Sequence, residues 1–105
     1  MQRGEVYRLK LPKGVGYDQH GARYGIVVQA DELLPRSFVL MAPTSRSARA
    51  ASFRPEITVE QQMTRVLVEQ VGAVDAQRLG KRAGLLSAQE LWAVDDALRV
   101  VLGLH

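Results

Sequence analysis

The chain has 105 residues, of which 47% are hydrophobic and 24% are charged, and its formal net charge is +3. This length and composition predict one folded domain over residues 1–105 and argue against a disordered polymer. The absence of cysteine excludes disulfides, a thiolate nucleophile and a thiolate zinc site. The two histidines, His20 and His105, are far apart in sequence, so we expect neither a metal site nor a cofactor.

The N-terminal segment has no apolar leader, and no stretch of the sequence approaches the length of a membrane span. We therefore expect a cytoplasmic protein that does not contact the membrane.

The basic residues are concentrated in the first part of the chain. Residues 1–65 carry a net charge of +4 and residues 66–105 a net charge of −1. Residues 43–54 contain three arginines and no acidic residue. Such a cationic loop is typical of a surface that meets an anionic polymer. A solvated loop that keeps strand edges apart explains the same composition equally well.

The first half of the chain predicts strands separated by turns. Residues 5–11 alternate apolar and basic side chains, which indicates a half-buried strand. Residues 12–22 are rich in glycine and predict a loop. Residues 24–30 are almost continuously apolar, as in a central strand covered on both faces. A turn is expected over residues 31–36.

Two proline residues limit the strands that follow. An apolar strand is predicted over residues 38–42, with Pro43 as its end. Residues 53–60 show clear alternation, and Pro55 places this strand at a sheet edge or delays its start until after the proline.

Shorter extended segments are predicted near the C-terminal end of the sheet. We expect strands over residues 65–69, 72–74 and 78–86, the last bent by two glycines.

A C-terminal helix is predicted from Ser87, which forms a capping box with Glu90. Apolar residues then recur at helical spacing until Gly103, a residue suited to end a helix. Trp92 lies off the centre of this apolar stripe. Packing against the sheet is the favoured interpretation of Trp92, and a subunit contact is the alternative.

These elements and several short motifs together resemble the MazF/PemK toxin family, over nearly the whole chain and in the same order. The motifs are Arg-Gly-Glu-Val-Tyr at residues 3–7, Asp-Gln-His-Gly-Ala-Arg at 18–23 before an apolar strand, Thr44 after the next strand, Glu-Gln-Val at 69–71, and Val-Asp-Ala-Gln-Arg-Leu at 74–79. The family usually has proline where this chain has Tyr24, and glutamate where it has Asp18. Both changes are expected to alter which RNA is accepted.

The resemblance implies an α+β fold that is mainly β: an SH3-like small antiparallel barrel with a C-terminal α-helix, working as a homodimer. It also implies a sequence-specific endoribonuclease that cuts single-stranded RNA and is neutralised by a cognate MazE-like antitoxin. The family's catalytic arginine and threonine correspond to Arg23 and Thr44.

RNA cleavage without a metal uses the neighbouring 2′-hydroxyl as the nucleophile, and leaves a 2′,3′-cyclic phosphate or 3′-phosphate and a 5′-hydroxyl end. The guanidinium of Arg23 is suited to a phosphate because it is planar and stays protonated. Thr44 can donate a second hydrogen bond to the same group. Proton transfer needs a further residue, and we expect support from His20 and Asp18, although both also suit an ordinary loop.

RNA binding should use aromatic faces, polar side chains and cations around the catalytic pair. Messenger, ribosomal and transfer RNA all satisfy this chemistry. For the two tyrosines, packing within the barrel is an alternative role. The predicted RNA-binding residues are Tyr17, Gln19, Tyr24, Ser45, Arg46 and Arg49.

Two other functions fit the same sequence less well. A CcdB-like toxin shares the barrel and poisons DNA gyrase by binding, without breaking a bond itself. A non-catalytic SH3-like nucleic-acid or peptide binder is the other alternative. Neither of these functions requires Arg23 and Thr44 to act together.

Overall fold

A computed structural model describes residues 1–10 and 23–104 of the chain. In these residues the backbone forms seven strands followed by one α-helix. The elements are β1 (Glu5–Leu9), β2 (Tyr24–Val27), β3 (Phe38–Ser45), β4 (Glu56–Val59), β5 (Gln62–Val66), β6 (Gly72–Asp75), β7 (Leu79–Leu85) and α1 (Ala88–Leu102).

The strands form a curled antiparallel sheet in the order β4-β5-β3-β2-β1-β7. Strand β6 pairs with the first half of β3, and β5 pairs with its end. This half-barrel with one C-terminal helix confirms the predicted fold class. Strand β2 lies in the middle of the order and is buried on both faces, as its apolar composition predicts.

Strand β3 does not stop at Pro43, and that part of the prediction is wrong. Its first half pairs with β6 through Met41, and its last two residues, Thr44 and Ser45, pair with β5. Pro43 lies where the strand changes partners, so the missing N–H interrupts neither ladder. The Pro43 carbonyl still accepts a hydrogen bond from the Leu67 N–H at 2.7 Å. Thr44 therefore lies inside a regular strand.

The sheet separates two apolar clusters. The larger cluster fills the space between the sheet and α1, where Val94 and Ala97 are almost fully buried. The smaller cluster covers the opposite face around Val27, Val39 and Met41. Neighbouring residues of β2 therefore contribute to different clusters, and this strand is the rigid centre of the fold.

The β4–β5 hairpin is the least predictable part of the sheet. Strand β4 begins directly after Pro55 and lies at the sheet edge, which confirms both interpretations of the proline. The strand predicted over residues 65–69 is wrong in its bounds, because β5 ends at Val66 and a 3₁₀ turn follows at Val68–Gln70. The two turn residues, Glu60 and Gln61, have positive φ angles of 50° and 67°. Their left-handed conformations match a two-residue hairpin turn of type I′.

The helix starts and ends as predicted. The Glu90 N–H donates to Ser87 Oγ at 3.1 Å, and the Ser87 N–H donates to Glu90 Oε1 at 2.9 Å, which completes the capping box. Gly103 ends the helix with a φ of 69°. Trp92 is 64% exposed, so its predicted packing against the sheet is wrong. None of the helices in the described ranges, 1–10 and 23–104, has the length and apolarity to cross a membrane.

A nearly buried carboxylate joins β1 to β7. Glu5 is 8% exposed and accepts hydrogen bonds from Arg82 Nε at 2.5 Å, from the Gln2 N–H at 2.7 Å and from the Tyr7 hydroxyl at 3.1 Å. Burial alone would raise the pKa of Glu5, but the bonds from Arg82, Gln2 and Tyr7 outweigh it and lower the pKa from its ordinary 4.5. The ionised form therefore stabilises the folded state.

Replacing Ser87 with alanine removes the N-cap acceptor and leaves the Glu90 N–H without its partner. We expect the free energy of unfolding to fall by about 1 kcal/mol, measured by chemical denaturation. Ser52→Ala, in an exposed turn, is the matched control and should change stability little. Equal losses in the two variants would contradict the capping role.

Glu5→Gln should change how the free energy of unfolding depends on pH under acid conditions. Because the folded-state pKa of Glu5 lies below 4.5, the wild type gains stability from ionised Glu5 above that pH and loses it as the pH falls through the lower, folded pKa. The difference in unfolding free energy between wild type and variant should therefore be largest at neutral pH and shrink under acid conditions.

Denaturation at a series of pH values measures this difference. The exposed Glu32→Gln substitution shows whether loss of a carboxylate elsewhere has the same effect. A difference for Glu5→Gln that does not change with pH would contradict the assignment.

Candidate functional site

The pairing of β2 with β3 brings the two predicted catalytic residues to one end of the sheet. Gly25 lies opposite Pro43, so the residues next to them, Tyr24 and Thr44, are also neighbours. The Tyr24 N–H donates to Thr44 Oγ1 at 3.3 Å. Arg23 is the residue immediately before, and its carbonyl accepts from the Leu9 N–H at 2.9 Å. The backbone of Arg23 is thus held between β1 and β3.

The two side chains differ in exposure. Thr44 is 2% exposed, and its oxygen accepts one hydrogen bond, which leaves its hydroxyl proton available for donation. Arg23 is exposed, and within residues 1–10 and 23–104 no acceptor is bonded to its guanidinium. The exposed guanidinium of Arg23 and the buried hydroxyl of Thr44 can both donate to an anionic group bound at this end of the sheet.

Three further predicted residues follow Thr44 along the chain. Ser45 is half-buried, with its Oγ 3.3 Å from that of Ser47. Arg46 is exposed, and its positive charge acts to lower the pKa of Tyr24, so it lies close to that phenol. Arg49 is also exposed and adds a second cation to the same loop.

The loop after β3 is fastened to the sheet by two other arginines. Arg54 donates to Glu69 Oε2 from Nε at 2.8 Å and from Nη2 at 2.6 Å, and it also donates to the Arg49 carbonyl at 3.1 Å. Arg65 donates to the Ala48 carbonyl at 2.9 Å. Arg54 is therefore a structural residue, and the cationic character of the loop comes from Arg46 and Arg49.

The side chain of Tyr24 belongs to a polar cluster that sequence reasoning missed. Arg8 is directly opposite Tyr24 in the β1–β2 pair, and its guanidinium lies 5.7 Å from the centre of the tyrosine ring. The hydroxyl of Tyr24 donates to Glu60 Oε1, and Arg8 Nη2 donates to the same oxygen at 2.8 Å. These three residues and Gln62 line an open recess of about 420 Å³.

The protonation states of Tyr24 and Glu60 follow from their contacts. The pKa of Tyr24 is raised, first by burial and then by its hydrogen bond to Glu60. The hydrogen bond from Tyr24 is also the main reason that the pKa of Glu60 is lowered, with Arg8 acting in the same direction. Glu60 is therefore a carboxylate that accepts hydrogen bonds at neutral pH, and Tyr24 keeps its proton.

Four predicted residues, Tyr17, Asp18, Gln19 and His20, lie outside the described residues. Within the described ranges, no three His, Asp or Glu side chains are grouped as metal ligands.

The comparisons with known proteins agree over the full length of this fold. The family described as PemK-like, MazF-like toxin of type II toxin–antitoxin system matches residues 2–102. A candidate toxin of Mycobacterium tuberculosis is 36% identical over 104 residues, which cover 97% of each chain. Endoribonuclease MazF of Staphylococcus epidermidis is 28% identical over 112 residues, covering all of this chain and 93% of the relative.

Solved structures show the same fold at lower sequence identity. A mycobacterial endoribonuclease in complex with its cognate antitoxin superimposes with a TM-score of 0.81 at 20% identity, covering all of this chain and 97% of the other. A chain of a MazE–MazF crystal structure from Deinococcus radiodurans gives a TM-score of 0.73 at 19% identity, covering all of this chain and 97% of the other. The fold, the family match and the mycobacterial relative lead to one assignment: this chain belongs to the PemK-like, MazF-like toxins of type II toxin–antitoxin systems.

Proposed function

We propose that this chain is a sequence-specific, metal-independent endoribonuclease toxin that cleaves single-stranded RNA. The observation that carries the proposal is the contact between the Tyr24 N–H and Thr44 Oγ1, which places the backbone of exposed Arg23 one residue from a buried hydroxyl. Two staphylococcal relatives are themselves named endoribonuclease MazF, which supports this class of reaction. The proposed toxin is a single domain that acts in the cytoplasm.

The proposed reaction requires no nucleophile from the protein. The 2′-oxygen of the RNA attacks the adjacent phosphorus, the bond to the 5′-oxygen breaks, and the products carry a 2′,3′-cyclic phosphate and a 5′-hydroxyl. Arg23 would neutralise the charge that builds on the phosphoryl oxygens. Thr44 would donate to one of them with the proton that the Tyr24 contact leaves available.

Two proton transfers accompany this reaction, and the Arg23–Thr44 pair is poorly suited to either. Arginine stays protonated in proteins, so Arg23 cannot act as a base. The phenol of Tyr24 is held to Glu60 with its pKa raised, which makes it a poor base as well. We therefore keep His20 as the proposed proton-transfer residue and Asp18 as the residue that orients it or Arg23.

The burial of Thr44 has a consequence for the rate. Because the residue is only 2% exposed, a phosphate reaches its hydroxyl only after small movements of the neighbouring side chains. Energy for such movement must come from RNA bound elsewhere on the surface. The site is thus suited to a slow, selective toxin rather than to a fast general nuclease.

The RNA backbone is proposed to continue from the catalytic pair along the loop after β3. Ser45 would donate to a phosphate, and Arg46 and Arg49 would supply cations whose guanidinium groups are bonded to no acceptor within residues 1–10 and 23–104. Tyr24, together with Tyr17 and Gln19, would contact bases.

Two protein partners complete the proposal. A cognate antitoxin is proposed as the inhibitor because a mycobacterial structural neighbour is complexed with its own. A homodimer is proposed because α1 and its surroundings expose large apolar side chains that a second copy could cover. The exposed residues are Leu85, Trp92, Val100, Leu102 and Leu104.

Arg23→Ala and Thr44→Val should each lower the rate of RNA cleavage by about 10²–10³-fold, since each removes a group that stabilises charge on the phosphate. The assay uses a long RNA of mixed sequence with EDTA present. Discrete fragments with 5′-hydroxyl ends should form with the wild type and disappear with either variant.

The chain offers a close control for each substitution. Thr64 is also 2% exposed and has a hydroxyl without a partner among the described residues. It lies in β5 two residues before Val66, which pairs with Thr44, so Thr64→Val repeats the change next to the site and leaves the Thr44 hydroxyl in place. Arg99→Ala removes an exposed cation on α1. Both controls should cleave RNA like the wild type. Intact RNA with folded wild type would instead favour a toxin that acts by binding. Full cleavage by folded Thr44→Val would overturn the catalytic role of Thr44.

Arg46→Ala and Arg49→Ala should weaken the binding of an RNA that has 2′-deoxy residues and cannot be cut. Each substitution should also reduce the slope of log affinity against log salt by about 0.7, because one fewer counterion is released from single-stranded RNA. Fluorescence anisotropy at several salt concentrations measures this slope. Arg36→Ala, an exposed arginine beside the 3₁₀ turn Asp31–Leu33, should leave it unchanged.

A further inference from the structure

The recess beside Tyr24 has the features of a small binding site. It is lined by Arg8, Tyr24, Glu60 and Gln62, and we call it the Glu60 recess. Its volume of about 420 Å³ lies within the range of pockets that hold small molecules or parts of larger ligands. Its lining combines one ring, one cation, one carboxylate and one amide.

Glu60 is held in one orientation by the residues around it. The hairpin turn places Glu60 at a positive φ of 50°, a backbone conformation that non-glycine residues seldom adopt. Its Oε1 accepts two hydrogen bonds, from the Tyr24 hydroxyl and from Arg8 Nη2. Its Oε2 accepts none from the residues in 1–10 and 23–104. The recess thus contains a positioned carboxylate oxygen with unused acceptor capacity.

The position of the recess relates it to the proposed cleavage site. Tyr24 lines the recess with its side chain and contacts Thr44 with its backbone N–H. Because Tyr24 adjoins both places, a nucleotide whose phosphate lies between Arg23 and Thr44 can direct its neighbouring base toward this recess. Arg8 offsets the charge of the Glu60 carboxylate, and the second carboxylate oxygen can still accept from a donor on the ligand.

We propose that the Glu60 recess binds the base next to the scissile phosphate and selects a base that carries an exocyclic amino group. The inference rests on the proposed ribonuclease function and adds a specificity-determining residue to it. Glu60 Oε2 would accept from the amino group of adenine, cytosine or guanine. Uracil presents a carbonyl oxygen where cytosine presents its amino group, so two acceptors would face each other there and this base would be bound less well. The amide of Gln62 both donates and accepts, so it can form a hydrogen bond with a neighbouring ring nitrogen or carbonyl group of the base.

The substitution Glu60→Gln tests this model because it should change which base is preferred. The amide oxygen should remain with Tyr24 and Arg8, which both donate to that position. The amide NH₂ then occupies the place of Oε2 and presents a donor to the recess. Selectivity should therefore change from amino-bearing bases toward uracil.

The first experiment uses the wild type alone. Its cleavage sites on mixed-sequence RNA are mapped, and a short substrate is made from the preferred sequence. In this substrate, the base beside the scissile phosphate is replaced by its analogue without the amino group: purine riboside for adenosine, inosine for guanosine, or pyrimidin-2-one riboside for cytidine. We expect kcat/KM to fall about 10- to 100-fold, as for loss of a hydrogen bond to a charged group.

The second experiment compares variants whose fold is checked by thermal unfolding. Glu60→Gln should cut the amino-deleted and uracil substrates at least as well as the amino-bearing one. Glu56→Gln makes the same change at the other end of β4, outside the recess, and should keep the wild-type preference.

The outcomes separate the two proposals. If the wild type cuts no RNA, the proposed function fails. If the wild type cuts RNA but tolerates uracil and amino deletion beside the scissile phosphate, the function stands and the role of Glu60 is overturned. A purely structural Glu60 would lower cleavage of all substrates by the same factor in Glu60→Gln, which also overturns it. Because the first experiment needs no variant, an unfolded Glu60→Gln would leave the proposal testable.

Discussion

The register between β2 and β3 is the constraint on which the rest of the site depends. With Gly25 opposite Pro43, the Tyr24 N–H meets Thr44 Oγ1, and Arg23 follows at the edge of the same pair. A shift of one residue would turn every side chain of β2 to the other face and would place Ile26 and Val27 in the wrong clusters. The two apolar clusters therefore hold the proposed catalytic residues in this arrangement.

Tyr24 connects this geometry to the β4–β5 hairpin. Its backbone contacts Thr44, its ring is paired with Arg8, and its hydroxyl is bonded to Glu60 at the hairpin turn. The family usually has proline at this position, which has no N–H for Thr44 and no side chain that reaches Glu60. The departure from the family pattern thus adds an element of the site, and it explains why the recess is built from residues that the common motifs do not include.

Local signals in the sequence were sufficient for much of the fold. The Ser87–Glu90 capping box and the position of Pro55 set boundaries through backbone chemistry alone, so the structure reproduces them. The β4–β5 turn gave no such signal because Glu60 and Gln61 replace the asparagine and glycine that type I′ turns favour. Arg23 and Thr44 could be chosen only through the family resemblance, and Glu60 depended on a tertiary contact that no short motif encodes. The exposure of Trp92 likewise could not be predicted from its position next to the apolar stripe of α1.

The unusual turn also couples stability to the site. Left-handed conformations of non-glycine residues cost on the order of 1–3 kcal/mol each, and this hairpin has two of them in succession. The bonds from Tyr24 and Arg8 to Glu60 offset part of that cost because they exist only when the turn is formed. The same bonds keep the side chain of Tyr24 beside the end of β2. Any ligand that competes for Glu60 must therefore act on the hairpin and on the neighbourhood of Thr44 together, and this links the proposed base recognition to the positioning of the proposed catalytic pair.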